Sequence, residues 1–459
     1  MPNGKHPSPA VEPAGSLIEV LYLDNFRGFA KTFIPIRPVT FFVGENSTGK
    51  SSVLSVLHLV RDYSFWSEPD FDTQNQHLGG FDDLRTSGSR RPTFVIGSVR
   101  WQRTYEGTLE PATIVASFGN NEGLPRCTKI SFAVNARALT VMEESGGFYA
   151  RRSILDTASK RQVDEFSLKE AVELHDSTDA GKATRLDIQR SGPTSGVFLF
   201  HLLGVADRML SKATSTEDLP YADFPPIYQF VGSSSNAVWL APVRTKPRRT
   251  YDGTKKAFSA EGDHTPYLLK SQLARKALAA NFKTLLARLG RESHLFDGIG
   301  VRSFGRGNAA PFEVHVDVGG VGLSLSNVGY GVSQVLPILV EILARSKNTT
   351  FHIQQPEVHL HPRAQAALGE LIYLLAADEE KRFVIETHSD FLIDRYRSMI
   401  REHGNKGYAA NTSLLFFRRE RGHNFAEELI LSPEGEYPID QPSSFRDFFI
   451  KEQLRSLAV

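Results

Sequence analysis

Apolar and polar positions alternate over residues 17–26 (LIEVLYLDNF), which predicts a strand with one buried face, and order is expected to begin near Leu17. A short apolar run from Pro38 to Val43 is β-rich and ends at Gly44. Beyond it the period changes. Val53, Leu54, Leu57 and Val60 recur at helical spacing across Ser51 to Arg61. The order is strand, glycine-containing loop, helix. From Pro92 to Val141 the segments FVIGSVRW, ATIVASF and KISFAV are strand candidates. Glu165 to Thr245 carries a mixed, weak pattern, with Gly204 to Pro226 read as a small helical insertion or a loop.

The second half is easier to parse. Leu273, Leu278, Phe282, Leu285, Leu286 and Leu289 share one face of a helix expected over Ser271 to Leu289. Gly319 and Gly320 lie between two alternating runs and signal a hairpin. Ser333 to Ser346 reads as an apolar helix, Thr349 to Ile353 as a buried strand and Phe383 to Ile385 as another. Pro362 to Ala376 is a helix with proline in its first turn. Ser443 to Leu457 is amphipathic, with Phe445, Phe448, Phe449 and Leu454. No internal repeat or long heptad run is present, so no long coiled-coil arm is expected.

The strongest chemical signal is Gly44-Glu45-Asn46-Ser47-Thr48-Gly49-Lys50-Ser51. It matches the phosphate-loop pattern residue for residue, and the strand before and helix after are the required context. Glycines let backbone N–H groups wrap phosphates, Lys50 supplies a point charge and the Ser51 hydroxyl suits Mg²⁺. A second Ser/Gly-rich segment, Leu325 to Gln334, opens into the Ser333 helix, whose N-terminus suits an anion. Two further strands end in polar residues: Phe351 to Pro362 (FHIQQPEVHLHP), and Val384 to Asp390 with His388. Parallel α/β sheets place their sites at such strand ends.

These four segments, in this order, resemble the ABC-type ATPases of the RecF/SMC/OLD group. Asn25–Phe29 (NFRGF) resembles the group's opening motif and Gly44–Ser51 its Walker A loop. Ser326–Gln334 resembles a variant ABC signature, Ile353–Pro362 the Walker B strand with its D-loop, and His388 the switch histidine. The segment Trp239 to Arg248 (WLAPVRTKPR) resembles one common in bacterial antiphage members, such as the ATPase subunits of PARIS and Septu.

The resemblance implies an α/β, two-lobed ABC ATPase head with a mixed β-sheet lobe, a parallel-sheet core and an inserted middle region. Residues 1–15 form a disordered lead-in, 16–150 the Walker A lobe, 151–310 the insertion and 311–459 the second lobe. ATP and Mg²⁺ are the implied ligands. Arg27, Gly44 through Ser51, and Ser52 would contact ATP from one subunit, and Ser326, Gly329, Gly331 and Ser333 from another. Ser51 and Gln354 stand at the metal positions, and Gln354, Gln355, Glu357 and His388 at the catalytic ones.

The group normally carries an acid at the end of the Walker B strand, followed by a catalytic Glu or, in some members, Gln. Here the two positions are Gln354 and Gln355, amides that cannot act as a general base and hold Mg²⁺ poorly. Three readings stay open: a slow or inactive ATPase, takeover by Glu357 or Glu386, or an engineered replacement of Glu at Gln354. The long spacing from Lys50 to Ser333 does not fit a transporter subunit. Too few residues follow His388 for a Toprim nuclease domain, so any nuclease is expected on a separate chain. The implied role is a sensor that dimerises around ATP and controls such an effector in antiphage defence. DNA or a phage protein would be the trigger. A RecF-like DNA-repair clamp is the alternative.

Composition narrows the setting. Lys and Arg total 53 against 52 Asp and Glu, a net charge of +1, which argues against a wholesale polyanion binder. One cysteine, Cys127, excludes an intrachain disulfide framework and fits a reducing cytosol. No apolar stretch is long enough to span a bilayer, so a cytoplasmic protein without a membrane partner is expected. Lys246, Arg248, Arg249, Lys255 and Lys256 cluster in a loop read mainly as solvated, with a nucleic-acid contact as the alternative. His352, His359 and His361 are better explained by strand alternation and the D-loop than by a metal.

Overall fold

The computed structural model describes residues 18–445 apart from 74–75, 104–108, 135–136, 145, 156–163, 178–182, 187–196, 214–236, 255, 308 and 444. Two large sheets organise the chain. The six-stranded sheet runs Ala237–Leu240, Thr350–Gln354, Arg382–Glu386, Val39–Gly44, Thr412–Glu420, His423–Ile430. The first five strands are parallel and the last is antiparallel. Its central strands are apolar runs buried on both faces, as a parallel sheet covered on both sides requires. The edge strand Ala237–Leu240 comes from within the middle of the chain.

The eight-stranded sheet is antiparallel at every pairing, in the order Thr184–Leu186, Gly147–Ile154, Arg137–Glu144, Leu124–Val134, Leu109–Asn121, Thr93–Arg103, Glu19–Asp24, Thr32–Ile36. The three strand candidates between Pro92 and Val141 all fall in it. The helix Lys50–Leu59 contributes Val53, Leu54 and Leu57 to a core shared with Phe94, Phe118 and Phe132 of this sheet. A second core, on the opposite face of the six-stranded sheet, holds Val335, Ile338 and Ile342 against Ile353, Leu371 and Ile385. Burial on its own would raise the Glu19 carboxyl, but Arg61 and Arg382 outweigh it and hold the group below its ordinary range. Glu19 accepts from both guanidiniums and so ties the two sheets together.

Several expected elements differ at their edges. The helix expected over Ser271 to Leu289 is two helices, Thr265–Ala274 and Lys276–Glu292. Arg275 between them has an extended backbone (ψ 96°), yet Leu269 before it and Phe282, Leu286 and Leu289 after it enter the same core. The Ser333 helix begins three residues early, at Tyr330, because extended Gly329 serves as its N-cap. The hairpin lies where its glycines placed it: Phe312–Val318 pairs with Val321–Ser324, and Gly319 and Gly320 both have positive φ. Val197–Ala213 is a helix within the weakly patterned middle. Of the amphipathic segment Ser443 to Leu457, only Ser443 and Phe445 are among the described residues, and Phe445 is buried against Phe416 and Tyr437. Among the described residues no helix is long and apolar enough to cross a membrane.

Candidate nucleotide site

Strand Val39–Gly44 runs straight into the loop of residues 44–49, and helix Lys50–Leu59 follows without a break. Glycine is required at two places. Gly44 has φ +129°, and a Cβ there would lie 2.1 Å from the Phe417 carbonyl oxygen. Gly49 has φ +95°, and a Cβ there would lie 2.6 Å from the Phe29 ring. No side chain caps the helix N-terminus, and its first turn carries no acid, so its amide groups and dipole face the loop unneutralised.

Lys50 is buried, and its Nζ donates to Gly44 O at 2.9 Å and Glu45 O at 2.6 Å. Burial lowers the pKa of the ammonium, and Glu386 and Glu45 partly restore it. Thr48 is buried and donates to Glu45 O at 2.8 Å, which closes the turn. Glu45, Asn46 and Ser47 are exposed at the tip, with Ser47 left-handed at φ 62°. Arg27, also left-handed, donates Nη1 to Ser52 Oγ at 3.0 Å and Nε to Asp83 O at 3.2 Å. Asn424 fixes that corner, its amide nitrogen donating to Arg27 O at 2.8 Å and its backbone N–H to Gly28 O at 2.9 Å.

Neighbouring strand ends supply the polar groups. Gln354 and Glu386 are register partners at the ends of Thr350–Gln354 and Arg382–Glu386, and Glu386 in turn pairs with Phe42. Ser51 Oγ donates to Glu386 Oε1 at 2.7 Å, and Gln354 Nε2 to Glu386 Oε2 at 3.3 Å. Gln355 has φ 42° and donates its N–H to Glu386 O at 2.8 Å. Glu357 accepts from Thr387 Oγ1 at 2.8 Å and from the His388 backbone N–H at 2.7 Å. Burial raises the Glu357 carboxyl above its ordinary range, against the pull of these bonds. His388 reaches solvent, and partial desolvation of its ring together with the Lys50 charge lowers its pKa. The preceding residue, Thr387, donates its N–H to Phe42 O at 3.1 Å, which sets His388 beside the strand that enters the phosphate loop.

Arg244 ends the WLAPVR segment, whose local pattern assigns it no role. It is buried, and its Nη2 donates to Gln354 O at 3.2 Å. Its Nε and Nη1 find no partner among the described residues. Burial lowers its pKa to about 10, with Glu357 acting in the other direction. Local pattern could not reveal this, because the contact joins positions far apart in the chain.

The Ser326–Ser333 segment is presented differently. Ser326, Asn327, Gly329 and Tyr330 are exposed. Among the described residues Ser326 bonds to Ser324 and Asn327, while Ser333 donates to Tyr330 O at 2.8 Å. The Tyr330 ring packs on His359, centroids 4.7 Å apart, and Gly331 lies against His359 O. The Ser326–Ser333 segment and the turn that carries His359 therefore lie against each other.

The three histidines do not converge. His352 is buried and shares a 3.1 Å hydrogen bond with His58, His359 faces Tyr330, and His361 caps the helix Pro362–Glu379. Among the described residues no cluster of three or more His, Cys, Asp or Glu is placed to hold a metal. Mg²⁺ needs fewer protein ligands when phosphates and water complete its shell, and the Ser51 hydroxyl with the Glu386 carboxylate is such a hard-oxygen pair. In the basic loop, Lys256 pairs with Asp263 and Arg248 lies 3.9 Å from the same acid, while Lys255 is outside the described residues.

Comparison with known proteins places matches on both parts of this site. Residues 17–90 match a family described as an AAA ATPase domain. Residues 240–394 match one described as an AAA domain, putative AbiEii toxin, Type IV TA system. No curated protein matches the chain in sequence. Among solved structures, the chain is similar to the SMC head domain from Thermotoga maritima, at 12% identity and TM-score 0.38 over 90% of this chain and 98% of that one. It is also similar to the Smc head domain with an extended coiled coil from Pyrococcus furiosus, bound to the C-terminal domain of ScpA, at 11% identity and TM-score 0.39 over 95% and 99%. The first family match contains Arg27 and the phosphate loop, and the second contains Arg244, Leu325 to Gln334, Gln354 to Glu357 and His388; both matched families are described as AAA domains, the first as an AAA ATPase domain.

Proposed function

We propose that the chain binds ATP with Mg²⁺ and that two copies close around two nucleotides to switch a separate effector. The observation that carries this reading is the phosphate loop itself: Gly44 and Gly49 held at positive φ with no room for a Cβ, over a buried Lys50. Backbone N–H groups of Gly44 to Ser51 and the uncapped helix end receive the β- and γ-phosphates. Lys50 exchanges its two carbonyl partners for phosphate oxygens, recovering in charge what burial costs it. Ser51 would hold Mg²⁺, which when bound would supply Lewis-acid charge to the same phosphates.

The exposed tip of Ser326 and Gly329, followed by half-buried Gly331 and buried Ser333, is offered to a second subunit, where its helix N-terminus meets the γ-phosphate. His388, at the edge of the same site, responds to that phosphate. Gln354 and Gln355 supply no general base, and Glu357 is occupied by Thr387 and His388, so closure outlasts turnover. A long-lived closed state suits a switch better than a motor.

The effector is read as a nuclease encoded beside this chain, in antiphage defence. Two things support that: the WLAPVR segment resembles defence ATPases, and the family matched by residues 240–394 is described as a putative toxin of a toxin–antitoxin system. Co-expression of the chain with its neighbouring gene products, followed by affinity capture with and without ATP, tests the reading. ATP-dependent capture of a nuclease is expected. Nucleotide-independent behaviour, or DNA-stimulated hydrolysis with no bound partner, would overturn it in favour of a repair clamp.

A further inference from the structure

The Walker B position holds an amide, yet the phosphate-loop serine still finds a carboxylate. Ser51 Oγ is 2.7 Å from Glu386 Oε1, and Glu386 sits one strand closer to the phosphate loop than Gln354 does. The Glu386 residue is buried while Ser51 is exposed, so the pair opens toward the phosphate loop. The other carboxylate oxygen accepts from the Gln354 side-chain amide at 3.3 Å, and the Glu386 carbonyl accepts from Gln355 N–H. A carboxylate gripped at its second oxygen and at its own backbone has little rotamer freedom left.

We infer that the magnesium-holding acid of this chain is Glu386, on the strand between Walker A and Walker B, and that Gln354 orients it as a hydrogen-bond donor. This deepens the nucleotide reading and rests on it. An amide at Gln354 is then a fitting partner, because a second carboxylate at that distance from Glu386 would repel it. Ser51 and Glu386 each contribute one oxygen. Phosphates and waters would supply the remaining ligands, which is how Mg²⁺ is commonly held.

The test uses the full chain and the fluorescent nucleotide mant-ATP, titrated in EDTA and in MgCl₂, with Mn²⁺ binding in the presence of nucleotide followed by electron paramagnetic resonance. For Glu386→Gln, nucleotide binding in EDTA is expected to persist. The gain in affinity from the metal should fall by about 10- to 100-fold, with Mn²⁺ uptake lost. Ser51→Ala should lose the same gain, and the double variant no more than either single one, since both serve one ion. Glu386→Asp, which keeps the charge, should recover part of the Mn²⁺ uptake even if Glu386→Gln is poorly folded. Full metal dependence in Glu386→Gln, or no recovery of Mn²⁺ uptake in a folded Glu386→Asp, would overturn the assignment and leave the nucleotide reading intact. A wild-type chain that binds no mant-ATP would defeat both.

Discussion

Glu357 Oε1 accepts the backbone N–H of His388 at 2.7 Å, so a carboxylate two residues beyond Gln355 anchors the backbone that carries His388. The other oxygen takes Thr387 Oγ1 at 2.8 Å. Glu357→Gln keeps the shape but turns one acceptor into a donor facing an existing donor. A loss of about 1–3 kcal/mol is expected, read as a lower denaturant midpoint. Nucleotide-dependent protection of the 386–390 segment in hydrogen exchange should weaken as well. An unchanged midpoint and unchanged protection would show that the bond orients nothing.

Gly44→Ala tests the cradle without touching its charge. The new methyl would sit 2.1 Å from the Phe417 carbonyl in a backbone conformation that alanine avoids. The variant should lose roughly 3 kcal/mol or more, or fail to accumulate as folded protein. Lys50→Ala has no such conflict and should fold while losing nucleotide binding. If Gly44→Ala melts like wild type, the described loop geometry is wrong.

Acid should unfold the chain in a definite window. Burial and the Arg61 charge lower the His58 pKa to about 4, and burial lowers the buried His175 to about 3. Both groups start from 6.5, so the unfolded chain binds more protons below that pH. Their contribution to stability is full above pH 6.5 and is lost as the pH falls through the folded values. Denaturant midpoints measured between pH 7 and pH 4 should fall, and His175→Gln should flatten the slope. A midpoint independent of pH across that range would contradict the buried, neutral assignment.

Gln354→Glu places a second carboxylate where the amide nitrogen now lies 3.3 Å from Glu386 Oε2. Without metal the two acids repel, and the melting temperature should drop; saturating Mg²⁺ should restore it and raise turnover. A variant whose stability ignores Mg²⁺ and whose turnover matches wild type would separate these residues from the metal.

Much of the site was legible because its signals are local. The phosphate loop, the hairpin glycines and the polar strand ends each declare themselves within about ten residues. The Ser51–Glu386 contact was not legible, because it depends on strand order: Arg382–Glu386 lies between Thr350–Gln354 and Val39–Gly44. The role of Arg244 was hidden for the same reason. Arg275 shows another limit, since the apolar period continues across a break that neither Gly nor Pro announces.

The sandwich of two chains is best examined by mass. Sedimentation of the purified chain with ATP and Mg²⁺ should show a shift from one copy to two, absent in Lys50→Ala. Gly329→Asp is the sharper control: a Cβ there meets nothing within 4 Å, so the fold tolerates it, while its charge would face phosphate across the interface. That variant should bind nucleotide and stay a single copy. A nucleotide-bound wild-type chain that never doubles, or a Gly329→Asp chain that doubles as readily, would refute the two-copy sandwich.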